Sequence, residues 1–119
     1  MKLVLLIAVL LTGAAHAERF SAVTGDKLLQ ICGSSAQETC AAYIDGVSDT
    51  ALFYQKLRPS NGSKGPRLPA YVCIPEAATG IDLKETVVLF GRSHPGFGTA
   101  ERLVLDALLA KWPCSTARP

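Results

Sequence analysis

Apolar residues recur at helical spacing from residue 24 onward. Leu28, Leu29 and Ile31 mark a short first helix over Thr24–Cys32, with Thr24 as its N-cap. Gly33-Ser34-Ser35 breaks it. Ser35 and Glu38 have the spacing of a capping box, so a second helix is predicted from Ala36 to about Leu57. Its apolar line is Cys40, Ile44, Val47, Ala51, Tyr54 and Leu57, in steps of three and four. Arg58-Pro59 ends it, and Pro59–Tyr71, rich in glycine and proline, reads as a surface loop. Val72-Cys73-Ile74-Pro75 re-enters the core. Asp82-x-x-Glu85 resembles an N-terminal cap, so a third helix is predicted over Leu83–Ser93. Its buried face takes Leu83, Val87, Phe90 and one of Val88 and Leu89, and His94-Pro95-Gly96 stops it. Thr99 caps a fourth helix, Ala100–Lys111, with Leu103, Val104, Ala107, Leu108 and Trp112 on one face. No useful strand alternation occurs. The pattern predicts an all-α domain, a small bundle of four helices.

The first residues have a different character. Met1-Lys2 is a short basic start, Leu3–Leu11 is continuously apolar, and Ala15-His16-Ala17 is an A-x-A site. This reads as a signal peptide, residues 1–17, cut after Ala17. The apolar run is far short of the roughly 20 residues that span a bilayer. The mature domain is then 18–119, with His94 its only histidine, and no membrane span is expected in it.

Size and charge remove several functions. With 119 residues and 12.6 kDa there is room for one domain. An apolar fraction of 49% against 18% charged residues argues against long disordered tails. A net charge of +2 lacks the basic excess of a nucleic-acid binder. No cofactor or metal is implied.

Export decides how the cysteines are read. Cys32, Cys40, Cys73 and Cys114 all follow the cleavage site, and an even number in an oxidising compartment implies two disulfides. Their spacing lacks the C-x₂₋₄-C knuckle of a zinc site, and an exposed exported thiol would oxidise rather than serve as a nucleophile. Three pairings are open. If the long loop returns the chain to its starting pole, all four thiols gather there, and Cys32–Cys114 with Cys40–Cys73 is favoured.

Several of these residues fall in a telling order. Gly25-x-x-Leu28-x-x-x-Cys32 is followed by Cys40-Ala41-Ala42-Tyr43-Ile44-Asp45-Gly46-Val47-Ser48-Asp49. Cys73-Ile74-Pro75, His94-Pro95, Ala107-Leu108 and Trp112-Pro113-Cys114 come next. Over about Phe20 to Cys114 the chain resembles the Rap/Tai family of small exported immunity proteins. The resemblance implies a periplasmic, all-helical binding module, often a homodimer. Its expected partner is a peptidoglycan amidase toxin delivered by type VI secretion, blocked by a helix or loop placed over the catalytic cleft. The framework residues transfer by this resemblance; the interface residues do not.

The residues with chemical potential have structural readings that weigh more. His94 suits a general base or pH switch, but it stands at a helix end where the dipole favours a cation. Asp45 and Asp49, four apart, share a face of the second helix without a third ligand; Asp49 is expected to meet a donor from a neighbouring helix. Gly46, mid-helix, costs about 1 kcal/mol against alanine and is expected to be offset by close packing. Tyr43 suits an interface and a part-buried core position equally, Pro75 belongs to the returning segment, and Trp112, a residue type that serves as a contact hot spot, is expected instead to cap the bundle core. Ser34, Ser35 and Ser48 lack a nucleophile context, and Asn61-Gly62-Ser63 reads as a turn. No catalytic residue is expected.

For partner contact, composition points to the loop Pro59–Tyr71 and the turn His94–Gly98, with Lys64, Arg67 and Phe97. Two functions remain: a binder that neutralises a toxin, and a periplasmic acid-stress chaperone.

Overall fold

The computed structural model describes residues 23–56 and 72–114. The leader of residues 1–17, the end of the second helix at Leu57, and the loop Pro59–Tyr71 with Asn61, Lys64 and Arg67 lie outside the described residues. Four helices follow one another: α1 (Gly25–Cys32), α2 (Gln37–Lys56), α3 (Gly80–Ser93) and α4 (Ala100–Lys111). The described residues contain no strand, and a single antiparallel bridge joins Val72 to Pro113. The domain is an all-α bundle tied by two disulfides.

Side-chain caps set the helix starts. Thr24 is extended, and its hydroxyl accepts from the Lys27 N–H at 3.1 Å. Thr99 does the same for Arg102 at 3.2 Å, so α4 has the bounds its pattern predicts. Each cap satisfies a donor that the first turn leaves unpaired.

Two other starts differ from expectation. α3 begins at Gly80, ahead of Leu83, because Thr79 is its N-cap. The Asp82 N–H donates to the Thr79 hydroxyl at 3.3 Å, and the Asp82 carboxylate accepts from the Thr79 N–H at 2.7 Å. Asp82 is thus the reciprocal partner of a capping box, three residues inside the cap it was expected to be. α2 begins at Gln37, and the expected Ser35–Glu38 box does not form. Ser34 accepts from the Ala36 N–H at 3.1 Å instead. The Gln37 side-chain amide donates back to the Cys32 carbonyl at 2.9 Å and to the Ser34 carbonyl.

Leu28, Ile44, Val87, Leu103, Val104 and Leu108 are fully buried and form the centre of the core. Burying each such side chain contributes about 1.5–3 kcal/mol. α4 supplies the most, with Ala100 and Ala107 beside its larger residues, and every pair of helices is in contact.

The inner line of α2 is Cys40, Ile44, Ser48 and Ala51. Ser48 takes the place expected of an apolar neighbour, because its hydroxyl donates to the Ile44 carbonyl at 2.7 Å and is satisfied within the helix. Val47 is half-buried and Tyr54 is exposed. Gly46 corrects a second expectation: it is exposed, and no heavy atom of the described residues lies within 4 Å of where a Cβ would stand. None of the other three described helices packs on it to offset its cost. Asp49 is also exposed, with no hydrogen-bond partner among the described residues, so the expected donor from a neighbouring helix is not there.

The disulfides are Cys32–Cys40 and Cys73–Cys114, which corrects the pairing favoured from topology. The turn after α1 folds α2 straight back, so Cys32 at the end of α1 and Cys40 in the first turn of α2 have Cα atoms 5.0 Å apart. The Cys73 N–H donates to the Trp112 carbonyl at 2.9 Å, and the Val72–Pro113 bridge continues this contact. The returning segment therefore lies along the end of α4, with Cys73 and Cys114 at a Cα separation of 4.8 Å. The bonds join the first cysteine to the second and the third to the fourth, and neither crosses from the α1–α2 pair to the returning segment or the end of α4.

Candidate interaction surface

Among the described residues no group of three His, Cys, Asp or Glu is placed to hold a metal ion, and no helix is long and apolar enough to cross a membrane. Asp45 and Asp49 both point away from the core. Asp45 Oδ1 lies 3.7 Å from where a Cβ on Gly80 would stand, so this carboxylate sits beside the first residue of α3. A negative charge is stabilising at a helix N-terminus. His94 caps the other end of α3. Its Nδ1 lies 2.9 Å from the Phe90 carbonyl, and its ring stacks on Phe90 with centroids 4.1 Å apart.

Between α3, α4 and the returning segment lies an open groove of about 600 Å³. Phe90, Ala107 and Trp112 give it an apolar floor, and Pro75 borders one side. Leu89 stands on its rim and is 64% exposed. The sequence leaves Val88 and Leu89 as alternatives for the inner face of α3. The structure turns Val88 toward the core and Leu89 outward.

The polar rim carries Asp82, Glu85 and Lys111. The Thr79 N–H, then the Thr79 hydroxyl, hold the Asp82 carboxyl below the usual carboxylate range, and nearby Lys111 adds to this. The only ion pair among the described residues is Arg102–Asp106 at 2.9 Å on α4, so Glu85 has none there.

The turn after α3 is shaped by Gly96, whose φ of 91° few other residues adopt. Phe97, expected as a contact residue, is half-buried: its ring lies 5.7 Å from Phe90 and packs on the core. It has less surface to offer than the sequence suggests. Tyr43 is also half-buried against the core. Burial, then the nearby Glu101 carboxylate, raise its phenol above the ordinary value, while the Glu101 backbone opposes them. Trp112 packs on the core and lines the groove.

Sequence reasoning missed the groove, because its two sides belong to segments far apart in the chain. The available signal was Leu89, a large apolar residue one step off the buried face of α3.

A family model, described as Rap1a immunity proteins, matches residues 24–114. The match runs from the N-cap of α1 to the last cysteine. The chain belongs to the Rap1a immunity protein family. The family resemblance read from the ordered cysteine, glycine and proline motifs is therefore correct. No curated protein and no solved structure matches the chain. Membership in an immunity family makes a protein effector the relevant class of partner, and assigns no chemistry to the groove.

Proposed function

We propose that this protein protects its cell by binding and blocking a secreted effector, and that the effector is a peptidoglycan amidase delivered by type VI secretion. The family match over all four helices and all four cysteines carries the reading. Its place of action is the periplasm, where such an enzyme meets its substrate and disulfides persist. The leader-like residues 1–17 support this location, with 18–119 as the working domain. The role is binding rather than catalysis.

Affinity capture of the exported protein from its own periplasm, followed by mass spectrometry and a hydrolysis assay on the captured partner, tests this. One stoichiometric peptidoglycan hydrolase, inhibited by the protein, is the expected result. A broad client set that grows as pH falls would replace immunity with the acid-stress chaperone.

A further inference from the structure

We propose that the groove between α3 and α4 docks an extended segment of a protein partner, with a basic side chain flanked by apolar ones. The proposal rests on the protein-binding reading and adds the surface and the chemistry of the segment.

The dimensions select the backbone form. The groove follows α3 from Asp82 to Ser93, about 16 Å at the helical rise. That length holds about five residues of extended chain. Spread over it, the 600 Å³ gives a mean cross-section of roughly 40 Å². An extended chain sits within that section, whereas a helix, about 10–12 Å across with its side chains, could seat only one face in it.

The lining selects the side chains. Phe90, Ala107 and Trp112 form an apolar floor, and Leu89 extends it onto the rim. Two of these walls are already ordered. His94 is stacked and hydrogen-bonded onto Phe90, and the Trp112 backbone is held by its N–H donating to the Leu108 carbonyl and its carbonyl accepting from the Cys73 N–H. A pre-ordered floor reduces the entropy cost of binding.

Charge selects the middle residue. Asp82 is occupied by its capping box and faces Lys111. Glu85 is exposed, one turn further along the same rim, and has no ion pair among the described residues. Among the described lining residues the two carboxylates of Asp82 and Glu85 stand against the one ammonium of Lys111, so the groove is negative on balance, with Glu85 about one helical turn from Leu89.

The probes are two capped peptides, acetyl-Ala-Leu-Lys-Leu-Ala-amide and its counterpart with Glu in place of Lys. Each is titrated into the isotope-labelled, oxidised protein and followed by NMR. The lysine peptide should give saturable shifts at Leu89, Phe90, Ala110 and the Trp112 indole, with Kd of order 1 mM. The glutamate peptide should bind about five-fold more weakly, the scale of one exposed ion pair. E85Q should remove that difference, and L89S should weaken both peptides; both positions are exposed, so folding is kept. No saturation by about 10 mM, shifts confined to another face, or equal binding of the two peptides would overturn the proposal. A captured effector that leaves the Leu89 and Trp112 signals unmoved would overturn it too, while leaving the immunity reading intact.

Discussion

Gly25 and Phe97 approach so closely that a Cβ on residue 25 would stand 2.6 Å from the Phe97 Cβ and 3.2 Å from its carbonyl oxygen. Both atoms are fixed by the backbone of the turn before α4, so neither can swing aside. The start of α1 is thereby seated on that turn, next to the Ala100 N–H that donates to the Val23 carbonyl at 2.6 Å. Gly25→Ala should force the two segments apart and lower stability by about 1–3 kcal/mol. Urea unfolding of the oxidised protein measures it, and an unchanged midpoint would mean the contact is looser than described.

Gly46→Ala should act in the opposite direction. The site is exposed mid-helix with open space around the missing side chain. Alanine should therefore raise stability by up to about 1 kcal/mol, the propensity difference. A loss would show that Gly46 has a packing partner outside the described residues.

Trypsin can read the disulfide pairing directly. No Lys or Arg lies between Leu28 and Lys56, so Cys32 and Cys40 share one peptide. Cys73 lies in Leu68–Lys84, and Cys114 lies in the segment after Lys111. Without reductant, the first peptide should appear alone with an internal bond, and the other two should appear joined. A single species linking all three would mean a crossed pairing, either Cys32–Cys114 with Cys40–Cys73 or Cys32–Cys73 with Cys40–Cys114, and would overturn the observed one.

The two bonds should also differ in what they contribute. Cys73–Cys114 spans a sequence separation of 41 and Cys32–Cys40 one of 8. Chain entropy then gives upper figures of about 4 and about 2.5 kcal/mol. The buried Cys32 and Cys40 add a packing loss when both become alanine. Denaturation of the two double-alanine variants checks these values. No loss on removing Cys73–Cys114 would contradict the tether between the returning segment and α4.

Acid should weaken the start of α3. The folded-state value of Asp82 lies below its ordinary one, so its contribution is present above about pH 4 and lost as pH falls through the folded value. Asp82→Asn should lower stability at neutral pH and flatten the acid limb of the stability curve. Tyr43 is raised, so its neutral form is favoured in the fold, and stability should fall above about pH 10. Tyr43→Phe should remove that alkaline slope. Helical circular dichroism and urea midpoints against pH test both signs.

Most of the architecture was legible because the chain's punctuation agrees with its periodicity. Thr24 and Thr99 each precede an apolar face, and α4 has the bounds its pattern predicts. Where two cap patterns overlap, as in Thr79-x-x-Asp82 and Asp82-x-x-Glu85, spacing alone picked the wrong one. Ser48 was missed because a serine that bonds its own helix can stand in the core. The disulfides were missed because pairing depends on how tightly the turn after α1 folds back, which the sequence of the turn does not reveal. The groove was least legible of all, since it exists only once Trp112, Phe90 and Pro75 meet.

The central claim is that this protein shields its cell from a secreted effector. The most direct measurement is contact-dependent competition between the parent strain and a strain lacking only this protein. The deletion strain should lyse beside a parent with a working type VI secretion system, survive beside one without it, and be rescued by the exported protein. Equal survival in both mixtures would contradict the account.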